Sequence, residues 1–153
     1  MSSAAEIGTF KRLCDELMIF ARENEGCEID HLSEKAILVR FGEGDRRSLL
    51  DASPGLFDLT TCTQLGLSNH LLRDERDVDQ ALALCDAVMA GRGVTVSGPG
   101  GYPVRSWFFL ESRGLRATVT TTATSIRSCR RARSIPKSAF TRERLPNLTN
   151  KVH

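Results

Sequence analysis

Two stretches of this chain repeat apolar residues at intervals of three and four, whereas the patterned segments outside them repeat every two. In the first stretch Ile7, Phe10, Cys14, Leu17, Met18 and Ala21 fall on one side of a helix of about five turns. Ser3 followed by Glu6 has the spacing of a capping box, which sets its start, and Asn24 to Gly26 supply its stop. In the second stretch the stripe is Val78, Ala81, Leu82, Cys85, Val88 and Met89. A charged bridge, Arg73-Asp74-Glu75-Arg76, leads into it; Asp77 is the expected cap and Gly91 the expected end.

The period-two segments predict strands around these helices. Residues 36–41 are β-branched and apolar, Gly42-Glu43-Gly44-Asp45 marks a turn, and residues 47–51 follow, which together read as a β-hairpin. Ser53-Pro54-Gly55 closes it, and residues 57–65, with Thr60, Thr61 and Thr63, add a third strand. After the second helix, Val94-Thr95-Val96 is a short strand and Ser97-Gly98-Pro99-Gly100-Gly101 a turn. Residues 104–110 form a strand carrying the sole tryptophan, Trp107. Leu115, Ala117 and Val119 alternate with Arg116, Thr118 and Thr120, the signature of a strand with one wet face. The predicted fold class is α+β: helix, a β-hairpin or three strands, helix, then two or three antiparallel strands.

Regular patterning stops near Thr124, and the sign of the charge changes there too. Residues 126–153 carry eight basic side chains against the single acid Glu143, +7, whereas the 125 residues before them carry 13 basic and 18 acidic groups, −5. Pro136 and Pro146 interrupt any helix, and Ile135, Phe140 and Leu145 show no sustained period. A polar, basic segment of this kind buries too little apolar surface to offset about 1–2 kcal/mol of ordering entropy per residue. The expected organisation is a compact domain over residues 1–124 and an irregular basic tail over residues 125–153. Partner-binding candidates are the tail's cations Arg127, Arg130, Arg131, Arg133, Lys137, Arg142 and Arg144. As a nucleic-acid arm they would contact phosphates, with Phe140 the one aromatic in the arm available for stacking. As a protein-binding or intramolecular arm they would meet acids, for which Asp74, Glu75, Asp77, Asp79 and Asp86 are the nearest candidates in the body.

Signals for chemistry are weak. Gly93 and Gly98 have the spacing of a phosphate loop, but Pro99 and Gly100 stand where the Lys and Ser/Thr belong, so the stretch reads as a hairpin turn. Cys27, Glu28, Asp30, His31 and Glu34 cluster ligand types within eight residues but lack the paired spacing of a zinc site; the expectation is a solvated connection and no metal or cofactor. Five cysteines (Cys14, Cys27, Cys62, Cys85 and Cys129) make an odd set without a CxxC pair, which points to reduced, structural thiols. Cys62, Ser68, His70 and Asp74 are the parts available to a nucleophilic enzyme, with Cys62 and His70 the leading pair, yet no nucleophile motif surrounds them. Thr118, Thr120 and Thr122 would line one face of a strand, an array able to meet an ordered surface or a carbohydrate.

The order of elements over residues 3–112 resembles that of small secretion-chaperone-like α+β proteins and of bacterial immunity and regulator domains. The resemblance is one of pattern, without a diagnostic motif and without the final helix such chaperones use. It implies a dimer that binds a protein on a sheet or helix face. The expected function is therefore a small non-enzymatic protein-binding or adaptor protein, with a homodimer compatible with it. A nucleic-acid-associated protein using the basic tail is the alternative, and an enzyme using Cys62 and His70 the third reading. The short apolar runs and the absence of a signal-like N-terminus lead to an expectation of an intracellular, cytoplasmic protein without membrane contact.

Overall fold

Ser3 opens the first helix by accepting a hydrogen bond from the Glu6 N–H through its hydroxyl, while the Glu6 carboxylate accepts from the Ser3 N–H. A computed structural model describes residues 2–62, 66–122 and 140–149 and places this helix, α1, at Ala4–Glu23. Phe10, Leu13, Cys14, Leu17 and Phe20 are its buried stripe. Five strands follow: β1 Cys27–Leu32, β2 Ile37–Phe41, β3 Ser48–Ser53, β4 Gly55–Thr60 and β5 Leu67–Leu72. They form an antiparallel sheet in the order β1-β2-β3-β4-β5. Alternation directs Cys27, Ile37, Val39, Phe41, Leu50, Ala52, Phe57 and Leu59 inward.

The second helix, α2, spans Glu75–Ala90, and its cap is Asp74, three residues earlier than the expected Asp77. The Asp74 carboxylate accepts from the Asp77 N–H at 3.0 Å, and the buried Asp77 carboxylate accepts from the Arg73 N–H at 2.7 Å. Two aspartates thus share the exposed donors at this end, so either one looks like a cap in the sequence. Every residue from Ala81 to Cys85 is buried, more than one face of a surface helix allows. The cause is that α1, β5 and β7 all pack on α2. Its alanines Ala81, Ala83 and Ala87 keep those neighbours close.

Strands β6 Gly93–Ser97, β7 Pro103–Leu110, β8 Ala117–Thr122 and β9 Thr141–Arg144 form a second antiparallel sheet, ordered β8-β7-β6-β9. The chain is therefore an α+β protein with two helices and two antiparallel sheets among its described residues.

Three strands depart from the sequence expectation. The ligand-rich stretch after α1, read as a solvated connection, is strand β1, an edge strand whose outward positions are polar. Strand β5 forms the other edge of that sheet, with Asn69 left-handed (φ 53°) beside a register shift. Strand β9 lies where an irregular tail was expected, and the chain after it is built into the core. The Leu145 N–H donates to the Gly93 carbonyl at 2.9 Å and the Leu148 N–H to the Met89 carbonyl at 2.8 Å. Leu145 is buried, and Arg46 Nη2 donates to the Asn147 carbonyl at 2.9 Å. Glycine makes this crossing possible: a Cβ on Gly93 would come within 2.5 Å of Leu145 Cδ1, and one on Gly91 within 2.8 Å of the Leu145 carbonyl oxygen. The tail's remaining candidate cations Arg127, Arg130, Arg131, Arg133 and Lys137, and the domain boundary drawn at residue 124, lie outside the described residues.

Candidate functional site

The ladder of the second sheet sorts its side chains into two faces. One row across the strands is Glu143, Thr95, Ser106 and Thr121; its centre faces inward, while Glu143 at the edge strand stays exposed. There Thr95 and Ser106 are buried and share a 2.7 Å hydroxyl–hydroxyl hydrogen bond, which satisfies both polar groups without water. The neighbouring rows face outward. One is Arg144, Val94, Trp107 and Thr120; the next is Arg142, Val96, Arg105 and Thr122. Phe109 and Thr118 continue the same face beyond Trp107.

This outer face combines cations with aromatic rings. Arg105, Arg142 and Arg144 are exposed, Trp107 is half-buried, and Phe109 is 37% exposed, unusual for a phenylalanine on a central strand. The Arg105 guanidinium lies over the Trp107 ring, 5.9 Å from its centroid. A fourth guanidinium, that of Arg92, donates through Nε to the Phe109 carbonyl at 3.3 Å. None of the described outward positions on these four strands carries a carboxylate, because alternation turns Glu143 to the other side. The nearest acids are exposed at its borders, Glu111 just past the end of β7 and Glu143 at the edge strand.

Of the seven candidate partner-binding cations, the described residues bring Arg142 and Arg144 to this face. Thr122 and Thr141, which flank residues 123–140, both lie at the end of the sheet marked by Arg105 and Ser97. The threonine array also belongs to this face: Thr118, Thr120 and Thr122 are all exposed there. Sequence reasoning missed the aromatic part, since it looked for stacking groups within the arm and found Phe140 alone. The missing rings come from β7, and the signal for them was the Trp107, Phe109 pair two residues apart.

Four of the five body acids weighed as docking points for the arm, all but Asp79, are engaged in other ways. Glu75 pairs with Arg12; Asp74 caps α2; Asp77 binds Arg73. Asp86 accepts from the Ser112 hydroxyl at 2.7 Å and Arg113 Nε at 3.2 Å.

The other chemical candidates are dispersed. The His70 ring stacks on Phe57, with centroids 4.8 Å apart, and among the described residues no hydrogen bond joins it to Cys62 or Asp74. Alternation along β1 divides the proposed ligands: Cys27 is buried inward, while Glu28 pairs outward with Arg40. No group of three or more metal-ligating side chains occurs among the described residues. Among those residues, too, no helix is long and apolar enough to cross a membrane.

Cys14, Cys27, Cys62 and Cys85 are free thiols, and burial raises each one's pKa. Burial, aided by Asp15, pushes Cys14 up to about 11; burial, aided by Glu28, pushes Cys27 up to about 12. At Cys62 burial acts first and Glu143 adds to it. As pH rises through 9 the unfolded chain releases these thiol protons before the folded chain does. For Cys14 and Cys27, stability present below pH 9 is therefore lost between pH 9 and the folded values of about 11 and about 12. A loss of about 1.4 kcal/mol from each of these two is expected on moving to pH 10. Urea unfolding at pH 7.5 and pH 10 measures it, and Cys27→Ala should shrink the difference by that amount.

No family model matches the chain, and no curated protein or solved structure shows a significant match.

Proposed function

We propose that this chain is a non-enzymatic binding protein that works through the outer face of its second sheet and takes an anionic polymer there. The observation carrying this reading is the convergence of Arg105, Arg142 and Arg144 on one face whose described strand positions hold no carboxylate. A protein adaptor and a nucleic-acid-associated protein are the two readings the composition leaves open. The face favours a partner with regularly spaced negative charge, because a protein surface seldom offers anions in rows without cations between them.

Retention of the full chain on an immobilised polyanion, heparin, tests the reading. Binding at 50 mM salt should weaken steeply by 200 mM, with a log–log slope of about −0.7 to −0.9 for each arginine engaged if the polymer behaves as nucleic acids do. Absence of retention at 50 mM salt would sink the proposal.

A further inference from the structure

Charge alone does not use the rings at the centre of this face. Trp107 and Phe109 sit two residues apart on β7, so their attachment points are separated by roughly 6.4–6.8 Å along the strand. Both project on the side that carries the arginines, and β7 is an inner strand of the sheet, flanked by β6 and β8. A half-buried indole and an exposed phenyl ring in the middle of a basic surface offer flat apolar faces to a ligand that has flat faces of its own. Polyphosphate has none, and a sulfated sugar offers only the C–H face of a puckered ring. A nucleic-acid strand has one flat face per nucleotide, next to the phosphate that an arginine would hold.

The geometry points to an unpaired nucleic-acid strand as the polymer bound here, with bases stacked on Trp107 and Phe109 and phosphates held by Arg105, Arg142 and Arg144. A duplex fits less well. Its base faces are hidden in the stack, and the described sheet face presents no helix or ribbon projecting from it to enter a groove. Arg105 already lies against the indole, so a base either stacks on that pair or takes the guanidinium's place and frees it for a phosphate. Thr118, Thr120 and Thr122 border the rings and add hydroxyl groups able to hydrogen-bond to sugar or base edges without fixing a sequence. The expected partner is accordingly a single strand read with little sequence preference. This inference rests on the polyanion reading above and goes beyond it by requiring the rings.

Trp107 is the only tryptophan, so its emission reports on the face directly. The full chain is titrated at 50 mM salt with a 12-nucleotide oligo(dT), a 12-base-pair duplex, inorganic polyphosphate and a poly-glutamate peptide. Oligo(dT) should quench the emission and bind on the order of 10-fold more tightly than the other three, the scale of one base stacked on one ring. Followed by the anisotropy of fluorescein-labelled oligo(dT), with unlabelled polyphosphate as competitor because these variants carry no tryptophan, Trp107→Leu should lose that advantage while still binding polyphosphate, and Trp107→Phe should restore much of it. The oligo(dT) titration of the unaltered chain needs no variant to fold. Equal affinity for single strand, duplex and polyphosphate, or quenching by poly-glutamate equal to that by oligo(dT), would overturn the inference and leave polyanion binding standing. Absence of binding to all four polymers would remove both.

Discussion

Replacing Leu145 by alanine is expected to lower the unfolding free energy by about 2–5 kcal/mol, the range for truncating a large buried aliphatic side chain. Leu145 is 5% exposed and belongs to the core cluster, with its backbone tied to Gly93 on one side and its carbonyl against Gly91 on the other. A segment outside the fold would give no change at all, so urea unfolding of Leu145→Ala separates the two descriptions in one measurement. Gly91→Ala should act in the same direction for a different reason. Gly91 has φ 70° as the cap of α2, and a Cβ there meets the Leu145 carbonyl and the Asn147 backbone at 2.8–3.1 Å. If both variants unfold at the same urea concentration as the unaltered chain, residues 145–147 do not sit where the structure puts them.

Reversing the charge of the outer face is the second large effect. The triple change Arg105→Glu, Arg142→Glu and Arg144→Glu should weaken polyanion binding at 50 mM salt by on the order of 100-fold or more and flatten its salt dependence. Folding should change little, by about 1 kcal/mol or less. The three side chains are exposed, β9 is held by backbone hydrogen bonds to β6, and the stacking of Arg105 on Trp107 is a modest contribution. Circular dichroism and urea unfolding establish that the variant is folded, and heparin retention reads the binding. The informative comparison is a second variant with glutamine at positions 127, 130, 131, 133 and 137. If that variant loses all binding while the sheet variant keeps it, the arm alone carries the activity and the sheet assignment fails.

The residues explain which parts of this fold the sequence could disclose. Both helices were visible because their stripes are long and their ends marked, by Ser3 with Glu6 and by Gly91. The hairpin of β2 and β3 and the strand around Trp107 were visible because short apolar runs there are bounded by turn residues, Gly42 to Asp45 and Ser97 to Gly101. Strand β1 was not, since Glu28, Asp30 and His31 make an edge strand resemble a loop. Strand β5 was hidden by Ser68, Asn69 and His70 and by the register shift near the left-handed Asn69. Strand β9 has four exposed side chains and hence no alternation; pairing with β6 defines it, and pairing is a long-range property.

The outer face of the second sheet was legible only in fragments. Trp107, the threonine row and Arg142 with Arg144 were each noticed, but 35 residues separate Trp107 from Arg142. Only the strand register β9-β6-β7-β8 turns them into one surface.

The return of the chain through β9 also changes what the five cations at positions 127, 130, 131, 133 and 137 can do. A terminal arm sweeps a large volume and meets a polymer on its own. Here Thr122 and Thr141, the described residues on either side of those positions, both lie at one end of the second sheet. If a polymer is held on the sheet as proposed, any contact those cations make with it is an intramolecular step, at a local concentration set by the 18 residues between Thr122 and Thr141 rather than by the amount of protein in solution. On this account the length of that connection, and not its charge alone, sets how strongly sheet and cations act together.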